Sequence, residues 1–284
     1  MNSRGLNYGR GAGLNIPEKR LSGEKGISLM ETLIALFLAG LVITTVFKVY
    51  ISQHKNWVIQ EQVTDMQQNA RAAIDELGRQ IRMAGHGLPL GMPGLEAYNA
   101  NPDTIVINYA VGGCDAVIEH AMPNPSAELR CDGHDVSCFQ EGQWVFIFQP
   151  DSGGGEFFEI TNVQTSSSHI QHNTMTLSRS YPAQSILIAM EQVKYYIDNT
   201  DTAHPNLMLK LPGQAAQVYA ENIEDLQFRY RMKNGSIISS PVIIPDIREV
   251  AIDLVARTDN PDSDFAGDPY RRRTYSSNVN LRNF

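Results

Sequence analysis

Three stretches of this 284-residue chain gather side chains that could do chemistry. The first is Cys131-Asp132-Gly133-His134-Asp135-Val136-Ser137-Cys138. Two thiolates and an imidazole suit zinc, although that needs a fourth ligand and reduced cysteines. In an oxidising compartment the leading expectation is a Cys131–Cys138 disulfide closing a small hairpin, with a bridge from Cys114 to one of the two as the alternative. The second stretch runs from Asp259 to Asp268 and places the carboxylates of Asp259, Asp262, Asp264 and Asp268 in one loop. Calcium favours oxygen-rich loops of this kind, but Pro261 and the missing terminal Glu spoil an EF-hand spacing. A solvated loop is the leading expectation. The third, Arg271-Arg272-Arg273, offers cations to phosphates or to acidic patches on a neighbour. Strand alternation would turn Arg272 away from the other two, so solvated cations are expected. Ser152-Gly153-Gly154-Gly155 lacks the Lys-Ser/Thr of a phosphate cradle. His86, His120, His134, His169, His172 and His204 are scattered without a ligand or nucleophile spacing. None of this has the pattern of a catalytic site, and the expectation is a non-enzyme without cofactor, resident metal or small-molecule substrate.

A single carboxylate stands apart from these clusters. Glu31 is the only charged residue between Ile27 and Phe47, in an otherwise apolar run. At 1.5 Å per residue that run makes a helix of about 32 Å, enough for a bilayer core. An ionised carboxylate inside such a segment costs roughly 2.5–3.5 kcal/mol on insertion scales, which implies a partner for it. The helical pattern then continues. Val63, Met66, Ala70, Ala73, Ile74, Leu77, Ile81 and Ala84 recur at steps of three and four, and no proline intervenes between Ile27 and Met83. This predicts an amphipathic helix following the apolar one, stopped by Gly85 and Gly87 ahead of Pro89.

Glycine at 26, an apolar residue, Glu at the fifth position after it and an unbroken apolar run together resemble the processing signal of type IV prepilins. The resemblance implies that a prepilin peptidase cuts between Gly26 and Ile27 and that the new amine of Ile27 is methylated. It also implies that Glu31 attracts the amino terminus of a neighbouring subunit during assembly. Residues 1–26 would be the leader. They carry Arg4, Arg10, Lys19, Arg20 and Lys25 against Glu18 and Glu24 and contain no apolar run, whereas a secretory signal places its apolar region before the cut. The basic leader would stay cytoplasmic and place everything after Phe47 outside the inner membrane. An ordinary signal anchor on a membrane-tethered enzyme or sensor is the remote alternative. Major pilins usually carry a proline where this chain has Lys48, which favours a minor subunit.

Beyond Gly87 the pattern changes to an irregular connection over 88–102 and then to short strand-like runs. These are Thr104–Val111, Trp144–Gln149, Phe157–Val163, Thr174–Ser178, Gln192–Ile197, Leu207–Lys210, Leu226–Met232, Val250–Ala256 and Tyr275–Leu281. A short helix is expected near Ala220, over Glu221–Leu226. The predicted class is α+β: a long N-terminal helix packed on a mostly antiparallel β-domain, the lollipop architecture of pilins. The expected divisions are a leader over 1–26, a transmembrane helix over 27–47, an amphipathic helix over 48–87 and a globular domain over 88–284. Leu77-Gly78-Arg79-Gln80-Ile81-Arg82-Met83-Ala84-Gly85 resembles the helix-ending segment of the PilW minor pilins, with His86 in place of the usual aromatic. The tail from Arg271 to Asn283, ending Leu281-Arg282-Asn283, resembles their last strand. Asn222–Tyr230 resembles a segment shared with the J-type pseudopilins of type II secretion, which are the nearer alternative. Partners implied by the resemblance are the prepilin peptidase and other minor and major pilins. The formal net charge of −8 argues against a nucleic-acid surface.

Overall fold

The structure, a computed structural model, describes residues 26–88, 92–150, 154–241, 246–262, 264–265 and 267–283. The leader up to residue 25, Pro89 and Gly91 of the connection, Ser152 and Gly153 of the glycine-rich loop, and Ser263 and Ala266 of the acidic loop lie outside the described residues. The chain divides into two units, Met1–Lys55 and Asn56–Phe284. The class is α+β, as expected: one long N-terminal helix, α1 (Leu29–Met83), and a mostly antiparallel β-domain.

In the first unit α1 carries no buried residue from Leu29 to His54. The second unit is built around the other part of α1. Its apolar stripe of Met66, Ala70, Ala73, Ile74, Leu77 and Ile81, followed by Ala84, is buried in one core with two sheets. The three- and four-residue spacing of that stripe is what a helix needs to present one face. The small residues Ala70, Ala73 and Gly78 let the sheets come close. A Cβ on Gly78 would sit 3.5 Å from Val279 Cγ2, an ordinary contact. Gly85 (φ 77°) and Gly87 (φ 66°) take the left-handed conformation that ends the helix.

The larger sheet has seven strands: β1 (Leu95–Tyr98), β2 (Thr104–Val117), β4 (Trp144–Phe148), β5 (Gly155–Glu159), β8 (Ile186–Asp198), β9 (Asn206–Lys210) and β10 (Gln217–Glu221). Its order is β1-β2-β8-β4-β5, with β9 joined to the far end of β8 and β10 to β9. Strand β8 organises it, pairing β2 along one side and β4 then β9 along the other. Its odd-numbered residues feed two cores in succession, Leu187 and Ala189 the first, Val193 and Tyr195 the core around α1.

A second sheet runs β12-β11-β13-β14 from β11 (Ile223–Met232), β12 (Ile237–Ile238), β13 (Ile247–Arg257) and β14 (Arg272–Asn280). Leu226, Phe228, Tyr230 and Met232 alternate inward while Arg229 and Arg231 face outward to Asp253 (2.6 Å) and Glu249 (3.1 Å). The buried Asp103 accepts hydrogen bonds from the Ala100 and Phe228 amides and ties the loop before β2 to this sheet.

A small third sheet, β3 (Leu129–Arg130), β7 (His169–Gln171) and β6 (Asn162–Gln164), covers a core of its own with Ile118, Phe139, Ile147, Phe158 and Ile170. Cys114 and Cys138 close this lobe as a disulfide. In chain-entropy terms a loop of this length is worth about 3 kcal/mol.

Three sequence expectations fail locally. The run Phe157–Val163 is two strands, because after Glu159 the backbone leaves β4 and Thr161 donates to the Gln171 carbonyl. Thr174–Ser178 is not a strand: the Met175 carbonyl bonds the His172 ring, and the Ser178 amide and hydroxyl both donate to Glu156. The helix near Ala220 is instead the β10–β11 turn. Asn222 sits there at φ 59°, and the alternation of Leu226, Phe228 and Tyr230 takes over from Ile223 onward.

Candidate functional site

The residues singled out at the start of α1 lie together. Gly26, Ile27 and Ser28 precede the first helical turn, and a side chain at Gly26 would meet nothing within 4 Å. Ser28 is the N-cap. Its Oγ accepts from the Met30 amide (3.3 Å), and its carbonyl accepts from the Glu31 and Thr32 amides (3.0 and 3.1 Å). Glu31 therefore occupies the third helical position, where Ser-x-x-Glu is a capping-box pattern and a negative charge complements the helix dipole. The Ser28/Glu31 spacing could have revealed this role, but a reading centred on the distance from Gly26 passes over it. Glu31 thus has a local reason to be where it is.

From Ile27 onward every side chain is exposed as far as His54. Leu29 is 84% exposed, Leu36 73% and Phe37 66%, values of a surface no part of the described chain covers. The threonine hydroxyls of this stretch are satisfied inside the helix. Thr44 donates to the Gly40 carbonyl (2.7 Å) and Thr45 to that of Leu41 (2.9 Å), so neither needs water. By length and composition the segment can cross a membrane.

At the cysteine stretch the structure overturns the leading Cys131–Cys138 pairing and forms the alternative, a bridge from Cys114. Cys138 pairs with Cys114, and it is Cys131 that is left as a thiol, fully buried. Burial, with Asp132 and Glu119 nearby, pushes the Cys131 thiol up to about 12, which keeps it protonated and poor as a ligand or nucleophile. The expected hairpin does not form because Cys131 points into the lobe core beside Leu129 and Ile170, while Cys138 reaches back to β2. His134, the proposed third zinc ligand, bonds Glu119 (2.9 Å). Around the same loop Asp132 bridges His120 (3.0 Å) and His169 (3.1 Å), a pairing that sequence spacing gives no sign of.

The acidic loop is organised by arginines. Asp262 is buried and accepts from both Nε (3.1 Å) and Nη2 (2.7 Å) of Arg271. Asp268 and Glu224 share Arg272. Asp259 accepts from Asn222 (3.2 Å) and Asn260 (3.0 Å), and the Asp264 amide donates to Asp262 (3.1 Å). Among the described residues no group of three or more His, Cys, Asp or Glu is placed to hold a metal ion. The arginine run is correspondingly not a row of solvated cations, since two of its three members are matched to carboxylates of their own domain.

A cleft of about 410 Å³ lies on the outer face of the larger sheet, floored by Phe146, Phe148, Phe157 and Met190, with Glu96 and Glu156 on its wall. Both carboxylates are engaged, Glu96 by Tyr98 and Glu156 by Ser178 and Tyr181. Among the described residues that line it there is no nucleophile–base pair. No family of known proteins, no curated protein and no solved structure matches this chain.

Proposed function

We propose that this chain is a minor pilin of the PilW kind, a structural subunit and not an enzyme. It would be made as a single-span precursor of the inner membrane, with its β-domain in the periplasm. A prepilin peptidase would cut it between Gly26 and Ile27 and methylate the Ile27 amine. It would then help to initiate or cap a type IV pilus together with other minor and major pilins. The observation that carries this reading is Glu31, a lone carboxylate five residues after Gly26, at the head of an apolar helix with every side chain exposed from Ile27 to His54.

The physical logic follows from that placement. A helix that is apolar on all faces and uncovered by the described chain fits lipid before assembly and other helices after it. In low dielectric an amine–carboxylate pair attracts far more strongly than in water, so a freed Ile27 amine on one subunit would fix register against Glu31 on the next. The Cys114–Cys138 disulfide supports an oxidising compartment for the domain. A J-type pseudopilin of a type II secretion tip would share the same amino-terminal features, and the Asn222–Tyr230 segment, here the β10–β11 turn and most of β11, is common to both resemblances.

The test is the amino terminus and intact mass of the membrane-extracted protein, with and without the prepilin peptidase. The expected product begins at N-methylated Ile27 only when the peptidase is present. An intact Met1 terminus in both strains refutes the reading. Co-purification with pilus subunits or with secretion subunits then separates the two filaments.

A further inference from the structure

The last strand of the fold, β14, is an edge whose outer side no described strand pairs with. Its orientation follows from the hydrogen bonds at its two ends. The Thr258 amide donates to the Arg271 carbonyl, and the Leu281 amide donates to the Arg248 carbonyl, both at 3.0 Å. Between them the register from Arg272↔Arg257 to Asn280↔Glu249 runs without a shift. In an antiparallel ladder successive residues alternate between facing the partner strand and facing away from it. Arg273, Tyr275, Ser277 and Val279 therefore face β13, while Thr274, Ser276, Asn278 and Asn280 turn their N–H and C=O groups outward. Among the described strands none but β13 pairs with β14.

Edges of this kind are normally blunted by short length, lysine, proline or a bulge. The other edges of the two large sheets follow that rule in part. β12 has two residues, β1 four, β5 and β10 five each, and β10 is irregular at Val218/Ala220. β14 has nine residues, no proline, no lysine and no bulge. Its outward residues from Thr274 to Asn280 are uncharged and exposed. It is also held firmly from behind. Val279 is buried against α1 at Gly78, and the Asn283 side chain donates to the Arg82 and Ala84 carbonyls at the helix end. A rigid edge loses little entropy when another strand is added.

The charges select the occupant. Arg271 and Arg272 are matched within the domain, whereas Arg273, among the described residues, rests on the Tyr275 ring (5.8 Å). Among the described residues neither Arg273 nor Arg282 faces a carboxylate, so an unmatched cation stands at each end of a neutral stretch. A second copy of β14 would bring arginine toward arginine whichever way it ran. We propose that the open edge of β14 is a strand-addition site for an extended segment of a different chain. That segment is uncharged along Thr274–Asn280 and carries an acidic residue where it reaches Arg273 or Arg282. The backbone edge supplies affinity and the flanking arginines supply selection.

The experiment uses the purified full chain in detergent micelles and a synthetic peptide, Glu-Thr-Val-Thr-Val-Thr-Val-Glu, with a Lys-ended version as control. Amide hydrogen exchange is followed residue by residue. In the free chain the Ser277 and Val279 amides should be protected and those of Thr274, Ser276, Asn278 and Asn280 should exchange fast. The Glu-ended peptide should slow the second set, and the Lys-ended peptide should bind at least several-fold more weakly. Ser276→Pro removes one outward N–H, together with the Ser276 hydroxyl's bond to Asp253, and leaves the backbone ladder to β13 in place. It should weaken binding about tenfold, the equivalent of one lost ladder hydrogen bond. Ser276→Lys, which keeps the amide and adds an edge charge, should weaken it too, and thermal melting checks that both variants fold. Protection of the outward amides in the free chain, or peptide binding that survives both variants, overturns the proposal. Equal binding of the two peptides overturns the acidic requirement. None of these outcomes depends on whether the chain is cut after Gly26, so the site and the pilin reading stand or fall separately.

Discussion

The two stretches of α1 are alike in local propensity and opposite in surroundings. Over Ile27–Phe47 apolar side chains occupy every face and all are exposed. Over Met66–Ala84 burial falls on one stripe, where Ala70, Ala73, Leu77, Ile81 and Ala84 have no accessible surface at all. The stripe is explained by the β-domain. The all-round apolar surface is explained by nothing in the described chain, and a surface of that extent marks a membrane or an interaction site. The same contrast recurs in the carboxylates. Glu76, in the packed stretch, bonds Arg79 through both its oxygens (2.6 and 2.7 Å) and also accepts from Gln80, and the Arg79 contact holds its carboxyl below the usual range. Glu31, in the exposed stretch, sits in the first turn of the helix.

The largest effect that could break this division is a core truncation. Leu77→Ala should lower the stability of the domain by about 2–5 kcal/mol, read as the denaturant midpoint of the detergent-solubilised full chain. Leu36→Ala, an identical change of side chain in the exposed stretch, should leave that midpoint where it was. A matching loss at both positions would mean that residues 27–47 are packed in the domain's core, and the division would fail.

A matched pair of glycines sharpens the comparison at smaller scale. Both Gly40 and Gly78 lie inside α1, where replacing Gly with Ala favours helix by about 1 kcal/mol. At Gly78 the new Cβ meets Val279 at 3.5 Å, and at Gly40 it meets nothing within 4 Å. Gly78→Ala should therefore raise the domain's melting temperature by a few degrees, and Gly40→Ala should not. A lower melting temperature for Gly78→Ala would show that the helix and β14 approach more closely than an ordinary contact allows.

The helix was legible in the sequence because period 3.6 and the lack of proline act locally, and its glycine stop does too. Seven of the nine expected strands lie on observed ones, with ends that moved: Gln192–Ile197 is the centre of β8, which begins at Ile186. Short strands such as β1, β3 and β7 were not seen, because two to four residues carry too little alternation to stand out from a loop. The cysteine pairing was legible only as the second of two alternatives. It depends on where β2 passes in space, and Cys131 and Cys138 look like partners only by proximity in sequence. The Asp262–Arg271 pair escaped notice for a similar reason. Two neighbouring runs of opposite charge each read as solvated until the chain folds one onto the other. The amino-terminal site was the reverse case. Gly26, Ile27 and Glu31 form a local pattern, yet the pattern alone leaves the role of Glu31 divided between a helix cap and a docking charge.

That division yields the prediction with the smallest effect on folding and the greatest power to discriminate. A capping-box position accepts Gln as well as Glu, so Glu31→Gln keeps the cap and deletes the charge. Ser28→Ala does the opposite, loosening the first turn by about 1 kcal/mol while leaving the carboxylate in place. If Glu31 acts as a cap, Glu31→Gln should assemble with its partner subunits as the native chain does, and Ser28→Ala should be the impaired variant. If Glu31 acts as the counter-charge for a neighbour's Ile27 amine, Glu31→Gln and Glu31→Ala should both be inserted in the membrane and both fail to co-purify with other pilins, while Ser28→Ala retains them. The pilin reading requires the second pattern. Normal recovery of Glu31→Gln in the complex would leave Glu31 as a helix cap and remove the charge from the assembly mechanism.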